Sequence, residues 1–255
     1  MTIRVAVLGA GGRMGQTVCA AVTDDPELEL VGAVDPPHAG EVVAGVTIGG
    51  DVESLESLQP DVVVDFTQID AARKSLEWCA EHGVHAVVGT TGFTDDDLAR
   101  LRERFTSSNC FIAPNFAIGA VVLMRLAELA APWFETGEII ELHHDQKIDA
   151  PSGTAMLTAQ RMAAASPDWG VDPTTKHVLD GARGGQGAGG IRVHSVRLRG
   201  LVAHQEVILG TTGQSLSIRH DSYDRSSFLP GVLLAVKSVA SHPGVTVGLD
   251  ALLGL

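Results

Sequence analysis

The run Ile3–Leu8 is short and mostly apolar, and it ends directly on Gly9-Ala10-Gly11-Gly12-Arg13-Met14-Gly15. From there Gly12–Val22 carries helical spacing. This strand, glycine turn and helix start constrain the fold more than any other feature. Glycine permits the tight turn and a close approach of backbone to phosphate, and free N–H groups at a helix start hold anions. Such a junction opens a βαβ unit that binds a dinucleotide. The spacing is Gly-x-x-Gly-x-x-Gly with Gly11 extra, so the turn can differ from the strict Gly-x-Gly-x-x-Gly form. Leu28–Val34 reads as the second strand. It ends at Asp35, where a carboxylate would take the adenosine ribose hydroxyls.

The alternation continues through the first half. Asp61–Phe66, Val84–Val88 and Cys110–Ala113 read as strands, and Gln68–Glu81 and Asp95–Phe105 as helices. Thr67 and Asp70 are read as a capping box, and Thr94 as a cap. Continuous Val-rich strands separated by helices imply a parallel, doubly wound sheet. After about Asn115 the pattern changes. A helix over Ile118–Ala131, a strand over Glu138–His144 and a helix over Thr154–Ala165 precede the glycine-rich Asp180–Gly190, read as a lid or a flexible connection. Strands at Ile191–Leu198, Ala203–Leu209 and Ser215–His220 follow, then a helix over Arg225–Ser241 and a short tail. The expected fold is α/β: a Rossmann-like doubly wound parallel sheet with an inserted α+β domain carrying a mixed sheet. Residues 1–115 would bind the dinucleotide, 116–222 the substrate, and 223–255 would return to the first domain.

The second informative segment is His143-His144-Asp145-Gln146-Lys147-Ile148-Asp149-Ala150-Pro151-Ser152-Gly153-Thr154-Ala155. Imidazole moves protons near neutral pH. Lys147 and a helix start at Ser152, Gly153 and Thr154 offer a seat for carboxylates. The net charge of −13 argues against nucleic acid, and any anionic ligand must find a local basic pocket. No run of 18 apolar residues appears, so no membrane span is expected. The opening residues enter a strand directly, without the pattern of a signal peptide. Cys19, Cys79 and Cys110 are scattered with no CxxC pair. That fits a reduced, cytoplasmic setting without metal or disulfide chemistry. Two further loops, Gly89-Thr90-Thr91-Gly92 and Ala113-Pro114-Asn115-Phe116, follow sheet strands, where ligands bind in doubly wound folds. The two segments together point to a nicotinamide-dependent reductase of an anionic substrate. Asp35 tilts the cofactor towards NADH, while Arg13 could contact a phosphate and admit NADPH.

These motifs together resemble the 4-hydroxy-tetrahydrodipicolinate reductases, also called dihydrodipicolinate reductases, of the bacterial lysine and diaminopimelate pathway. The carriers are GAGGRMG at Gly9–Gly15, VVDFT at Val63–Thr67, GTTGF at Gly89–Phe93, APNFAIG at Ala113–Gly119 and ELHH..K.DAPSGTA at Glu141–Ala155. The resemblance implies NADH- or NADPH-dependent reduction of a cyclic dicarboxylate, with hydride to ring C4 and a proton to the neighbouring carbon. It implies His143 as catalytic acid/base and Lys147 as the second catalytic residue, with His144, Gly153 and Thr154 on the substrate. Gly9, Ala10, Gly11, Gly12, Arg13, Met14, Asp35, Gly89, Thr90, Thr91, Ala113, Pro114, Asn115 and Phe116 are implied cofactor contacts. It also implies a homotetramer built through the second domain's sheet.

Many members of that family carry a histidine at the place of Gln146, and a basic residue or proline at that of Asp145. Gln146 keeps a hydrogen-bond donor without charge, and Asp145 is expected to point away from an anionic substrate. Arg183 and Arg192 are considered for closing over substrate carboxylates, with solvated charge as the alternative. His38, His82, His85, His177, His194, His204, His220 and His242 are read as structural. A semialdehyde dehydrogenase would need a nucleophilic cysteine, and no cysteine here is well placed. A non-catalytic NAD(P)-sensing Rossmann protein is the alternative outside enzymes; it would not need the His143 and Lys147 segment.

Overall fold

The computed structural model describes residues 2–255. Two compact units emerge. One takes the chain up to Ile118 together with Arg225–Leu255, and the other takes Gly119–Asp224.

The first unit begins with β1 (Ile3–Leu8), α1 (Arg13–Asp24) and β2 (Leu28–Val34), then β3 (Val42–Val43), β4 (Val46–Gly49) and β5 (Val62–Asp65). It continues with α2 (Ile69–Glu81), β6 (His85–Val88), α3 (Asp95–Arg104) and β7 (Cys110–Ile112). All four residues of β5 are buried, as suits a strand covered on both faces. Gly15, Val18, Cys19 and Val22 form the buried stripe of α1, and Ala72, Ser75, Leu76 and Cys79 that of α2. Thr94 caps α3 in a full capping box with Asp97. Asp97 is itself held by Arg73 through two bonds of 3.0 and 2.8 Å.

The second unit holds most of α4 (Ile118–Ala130), then β8 (Thr136–His143), α5 (Gly153–Ala165), β9 (Gly185–Gln186), β10 (Arg192–Arg197), β11 (Ala203–Thr211) and β12 (Gln214–Ser222). Its sheet runs β12-β11-β8-β10-β9. β8 and β10 are parallel and the other pairings antiparallel, so the sheet is mixed. Ile139, Val193, Val207 and Leu209 pack with Ala155, Ala159 and Met162 of α5 and Leu123 and Ala127 of α4.

The chain then returns to the first unit with α6 (Leu229–Ser238), β13 (Val245–Val247) and α7 (Asp250–Leu253). The first sheet has the order β13-β7-β6-β5-β1-β2-β4-β3, parallel except for the β3–β4 hairpin. The strand order reverses between β1 and β5, the switch point of a doubly wound fold.

Several local expectations are corrected. The short tail contains a strand that was not foreseen, Val245–Val247, which pairs with β7. The Arg225–Ser241 stretch is not one helix but α6 flanked by single 3-10 turns, because Pro230 can only start a helix. The inserted unit spans 119–224, a shift of two to three residues from 116–222. β3 and β4 were unforeseen. They turn through Ala44 and Gly45, both at positive φ, as a two-residue hairpin loop requires. Thr67 does not cap α2; its hydroxyl goes to Asp65 Oδ1 at 2.7 Å, and the N-cap of α2 is Gln68, which makes no side-chain cap bond. The Asp180–Gly190 stretch contains β9 and a 3-10 turn, tied by Gly187 N–H to the Ile191 carbonyl at 2.8 Å.

Candidate functional site

In the first unit the candidate cofactor residues share one edge of the sheet, at the carboxyl ends of parallel strands. Gly9–Gly15 follows β1, Asp35 follows β2, Gly89–Thr91 follows β6 and Ala113–Phe116 follows β7. Gly9 is at φ +74°, and a Cβ there would lie 2.8 Å from the Phe66 carbonyl oxygen. A Cβ on Gly15 would sit 2.0 Å from the Gly9 oxygen, so α1 seats directly on the turn. Gly12 caps α1 without a side-chain bond, and the first turn holds no acidic residue. No side-chain acceptor caps this helix start, and the uncapped N–H groups suit a pyrophosphate. The donor set and the close backbone therefore fit a dinucleotide.

Asp35 is nearly buried and accepts from Gly11 N–H at 2.9 Å. His38 comes back over it, with Nδ1 3.2 Å from Asp35 Oδ2. The ring lies where a Cβ on Gly11 would fall, 2.3 Å away. His38, read as structural, packs against the glycine turn. The signal was Pro36-Pro37, which fixes a 3-10 turn and returns the third residue over Asp35.

Asp65 was quoted within a motif but given no role. It is fully buried at the end of β5, and accepts from Thr67 N–H, the Thr67 hydroxyl, the Thr90 hydroxyl and the Ser75 hydroxyl. It knits the Phe66-Thr67 turn to the Gly89–Thr91 loop. Thr90 is therefore buried and turned inward, which leaves its backbone, not its hydroxyl, for a ligand. Asn115 Oδ1 accepts from Ala117 N–H at 2.9 Å and shapes the last loop.

In the second unit Ile139, Glu141 and His143 alternate along β8 and share one face. Glu141 has no exposure at all, and its Oε2 contacts His143 Nδ1. Arg197 of β10 lies in register with His143 and grips both Glu141 oxygens, at 3.0 and 2.8 Å. His144 follows the strand and is exposed. In the loop, Lys147 Nζ binds both oxygens of Asp149, at 2.7 and 2.9 Å. Asp145 turns to Arg199 at 2.8 Å. Ser152 is buried and caps α5, accepting from Ala155 N–H at 3.2 Å. A Cβ on Gly153 would meet nothing within 4 Å, so that helix start faces open space.

Burial alone would raise the Glu141 carboxyl. Hydrogen bonds from His143, Arg197 and Ser195 outweigh it and bring it to about 2, from an ordinary 4.5. A carboxyl lowered in the folded state stabilises above its ordinary range and loses that contribution as pH falls through 4.5 towards 2. We expect wild type to lose on the order of 3 kcal/mol more than Glu141→Gln over that window. Urea unfolding at stepped pH measures this, and parallel curves for the two proteins would refute it.

Arg183 and Arg192 are both engaged in ion pairs within the second unit. Arg183 binds Glu138 at 2.5 Å, and Arg192 binds Asp172 at 3.0 Å. Glu138 lies five residues before His143, roughly 16 Å along the strand. The three cysteines are buried, and burial pushes the Cys19 thiol up to about 12. None is a nucleophile of the kind a semialdehyde dehydrogenase needs. Among the described residues, no helix is long and apolar enough to cross a membrane.

Residues 3–116 match the family model described as dihydrodipicolinate reductase, N-terminus, and residues 119–253 match that described as dihydrodipicolinate reductase, C-terminus. A 4-hydroxy-tetrahydrodipicolinate reductase from Nocardia farcinica is 53% identical, with all of both chains covered. One from Corynebacterium urealyticum is 49% identical over 99% of each. A dipicolinate-bound dihydrodipicolinate reductase structure from Paenisporosarcina sp. TG-14 superposes with a TM-score of 0.89 at 40% identity, over 98% of this chain and 99% of that one. With both halves matched in order and relatives of this identity over the full length, the chain belongs to the dihydrodipicolinate reductase family.

Proposed function

We propose that the chain reduces 4-hydroxy-tetrahydrodipicolinate, with NADH or NADPH and one proton, to tetrahydrodipicolinate, NAD(P)⁺ and water. The observation that carries the reading is the Glu141–His143 pair at the end of β8. It stands ahead of a loop cation, Lys147, and an open helix start at Gly153. The first unit would hold the cofactor through Gly9–Met14, Asp35, Gly89–Thr91 and Ala113–Phe116. When bound, the reduced nicotinamide supplies the hydride that the ring accepts at C4.

The rest falls to side chains of the second unit. Water leaves first, taking the C4 hydroxyl and a proton from the neighbouring carbon, and this gives a conjugated ring. Addition at C4 then places negative charge on that ring, and a nearby cation stabilises it. Lys147 does so from its place in the loop, where Asp149 holds Nζ. The Gly153 and Thr154 N–H groups at the start of α5 take a carboxylate, and the exposed His144 donates to the substrate. His143 delivers the proton to the neighbouring carbon from Nε2, since Nδ1 is engaged by Glu141. The reading also includes a cytoplasmic homotetramer, which sedimentation tests for the assembly.

The test follows oxidation of NADH and of NADPH with the freshly made condensation product of pyruvate and aspartate semialdehyde. Substrate-dependent oxidation supports the reading. A folded protein that binds nucleotide but oxidises none would favour the sensing alternative. The same assay addresses the cofactor. Asp35→Asn is expected to lower the NADH-to-NADPH ratio of kcat/KM about tenfold, by removing the charge that favours a free 2′-hydroxyl. An unchanged ratio would assign the preference elsewhere.

A further inference from the structure

Glu141 is a charged side chain with no exposure, one strand position pair from Ile139 in an apolar core. Burying a carboxylate is costly unless it is paired, and an apolar residue of similar size would serve stability as well. Its partners show another use. We propose that Glu141 and Arg197 are positioning residues that together fix both His143 and Lys147; the inference rests on the reductase reading.

Glu141 receives His143 Nδ1, which puts that nitrogen's proton on the carboxylate side and leaves Nε2 to carry the transferred proton. It also stabilises the imidazolium before the proton leaves. Arg197 holds the carboxylate itself through Nη1 and Nη2. The same guanidinium donates from Nη2 to the Asp149 carbonyl at 2.6 Å. The Asp149 carboxylate in turn holds Lys147 Nζ. One planar fork thus joins the end of β8 to the loop that carries the second reacting cation. Strand register supports the fork, with Arg197 opposite His143 and Leu198 N–H bonded to the His143 carbonyl at 3.0 Å. A lysine at 197 keeps the charge but cannot make these bonds at once.

The test compares wild type, Glu141→Gln, Arg197→Lys and the double variant Glu141→Gln/Arg197→Met. Each is assayed for kcat and KM with the ring substrate, for NADH binding by fluorescence, and for melting temperature. Glu141→Gln should lower kcat about 100-fold, with substrate KM within about threefold and NADH binding unchanged. Arg197→Lys should lower kcat and also raise KM about tenfold, because the loop is released. The double variant removes both charges of the Glu141–Arg197 pair and strands neither, so it should melt near wild type while kcat stays low. Wild-type kcat in Glu141→Gln or in the double variant would overturn the inference alone. An inactive wild type would remove the reductase reading, and the inference with it.

Discussion

Lys147→Ala is expected to lower kcat by about 100- to 1000-fold while leaving the fold intact. The two halves of this expectation have separate causes. Lys147 sits in a surface loop, and it pairs with the largely exposed Asp149. A pair so exposed contributes about 0–1 kcal/mol to stability, so melting should hardly move. The charge that builds on the ring during reduction, by contrast, has no equally placed cation to replace it. His143→Ala should fall into the same range through loss of the proton donor. Thermal melts beside steady-state kinetics decide the matter. Full turnover in Lys147→Ala, or loss of its fold, would break the assignment.

Gly15→Ala should do the opposite and damage the structure before the chemistry. A Cβ at that position would lie 2.0 Å from the Gly9 oxygen and 2.7 Å from Ala10 Cα. Both are backbone atoms, so no side chain can yield. α1 would have to lift from the turn, costing about 3 kcal/mol. The helix start would move off the pyrophosphate, and NADH affinity should drop about 100-fold or more. Gly153→Ala is the control, because a Cβ there meets open space and alanine suits a helix. Denaturant unfolding and NADH titration of both variants check this. Equal behaviour of the two would mean that contact at Gly15 is not what the position requires.

The parts of this fold legible in the sequence were those set by local chemistry. The glycine turn after β1, the Val-rich central strands and the Thr94 cap each state their conformation within a few residues. β13 and β4 do not. Val245-Thr246-Val247 is too short to show a period, and it is a strand only because β7 offers an edge to pair with. The site divides in the same way. His143, Lys147 and Ser152–Thr154 stand together in one segment. Arg197 lies 54 residues after His143 in the sequence, and only the parallel register of β8 and β10 brings it opposite. Glu141 did leave a local trace, a charge alternating in phase with Ile139 and His143. His38 was hidden because its role depends on how Pro36-Pro37 folds it back.

The pairing of β13 with β7 has a consequence for biosynthesis. β7 leaves the ribosome early, and its partner is made only after residues 113–244 have been translated, roughly ten seconds at bacterial speeds. Over that interval Cys110–Ile112 presents a row of unsatisfied N–H and C=O groups, on the strand that carries the fully buried Phe111. An open apolar edge is a template for pairing with another nascent chain. The length of the inserted unit thus sets how long each new molecule must be kept apart from its neighbours on the same message.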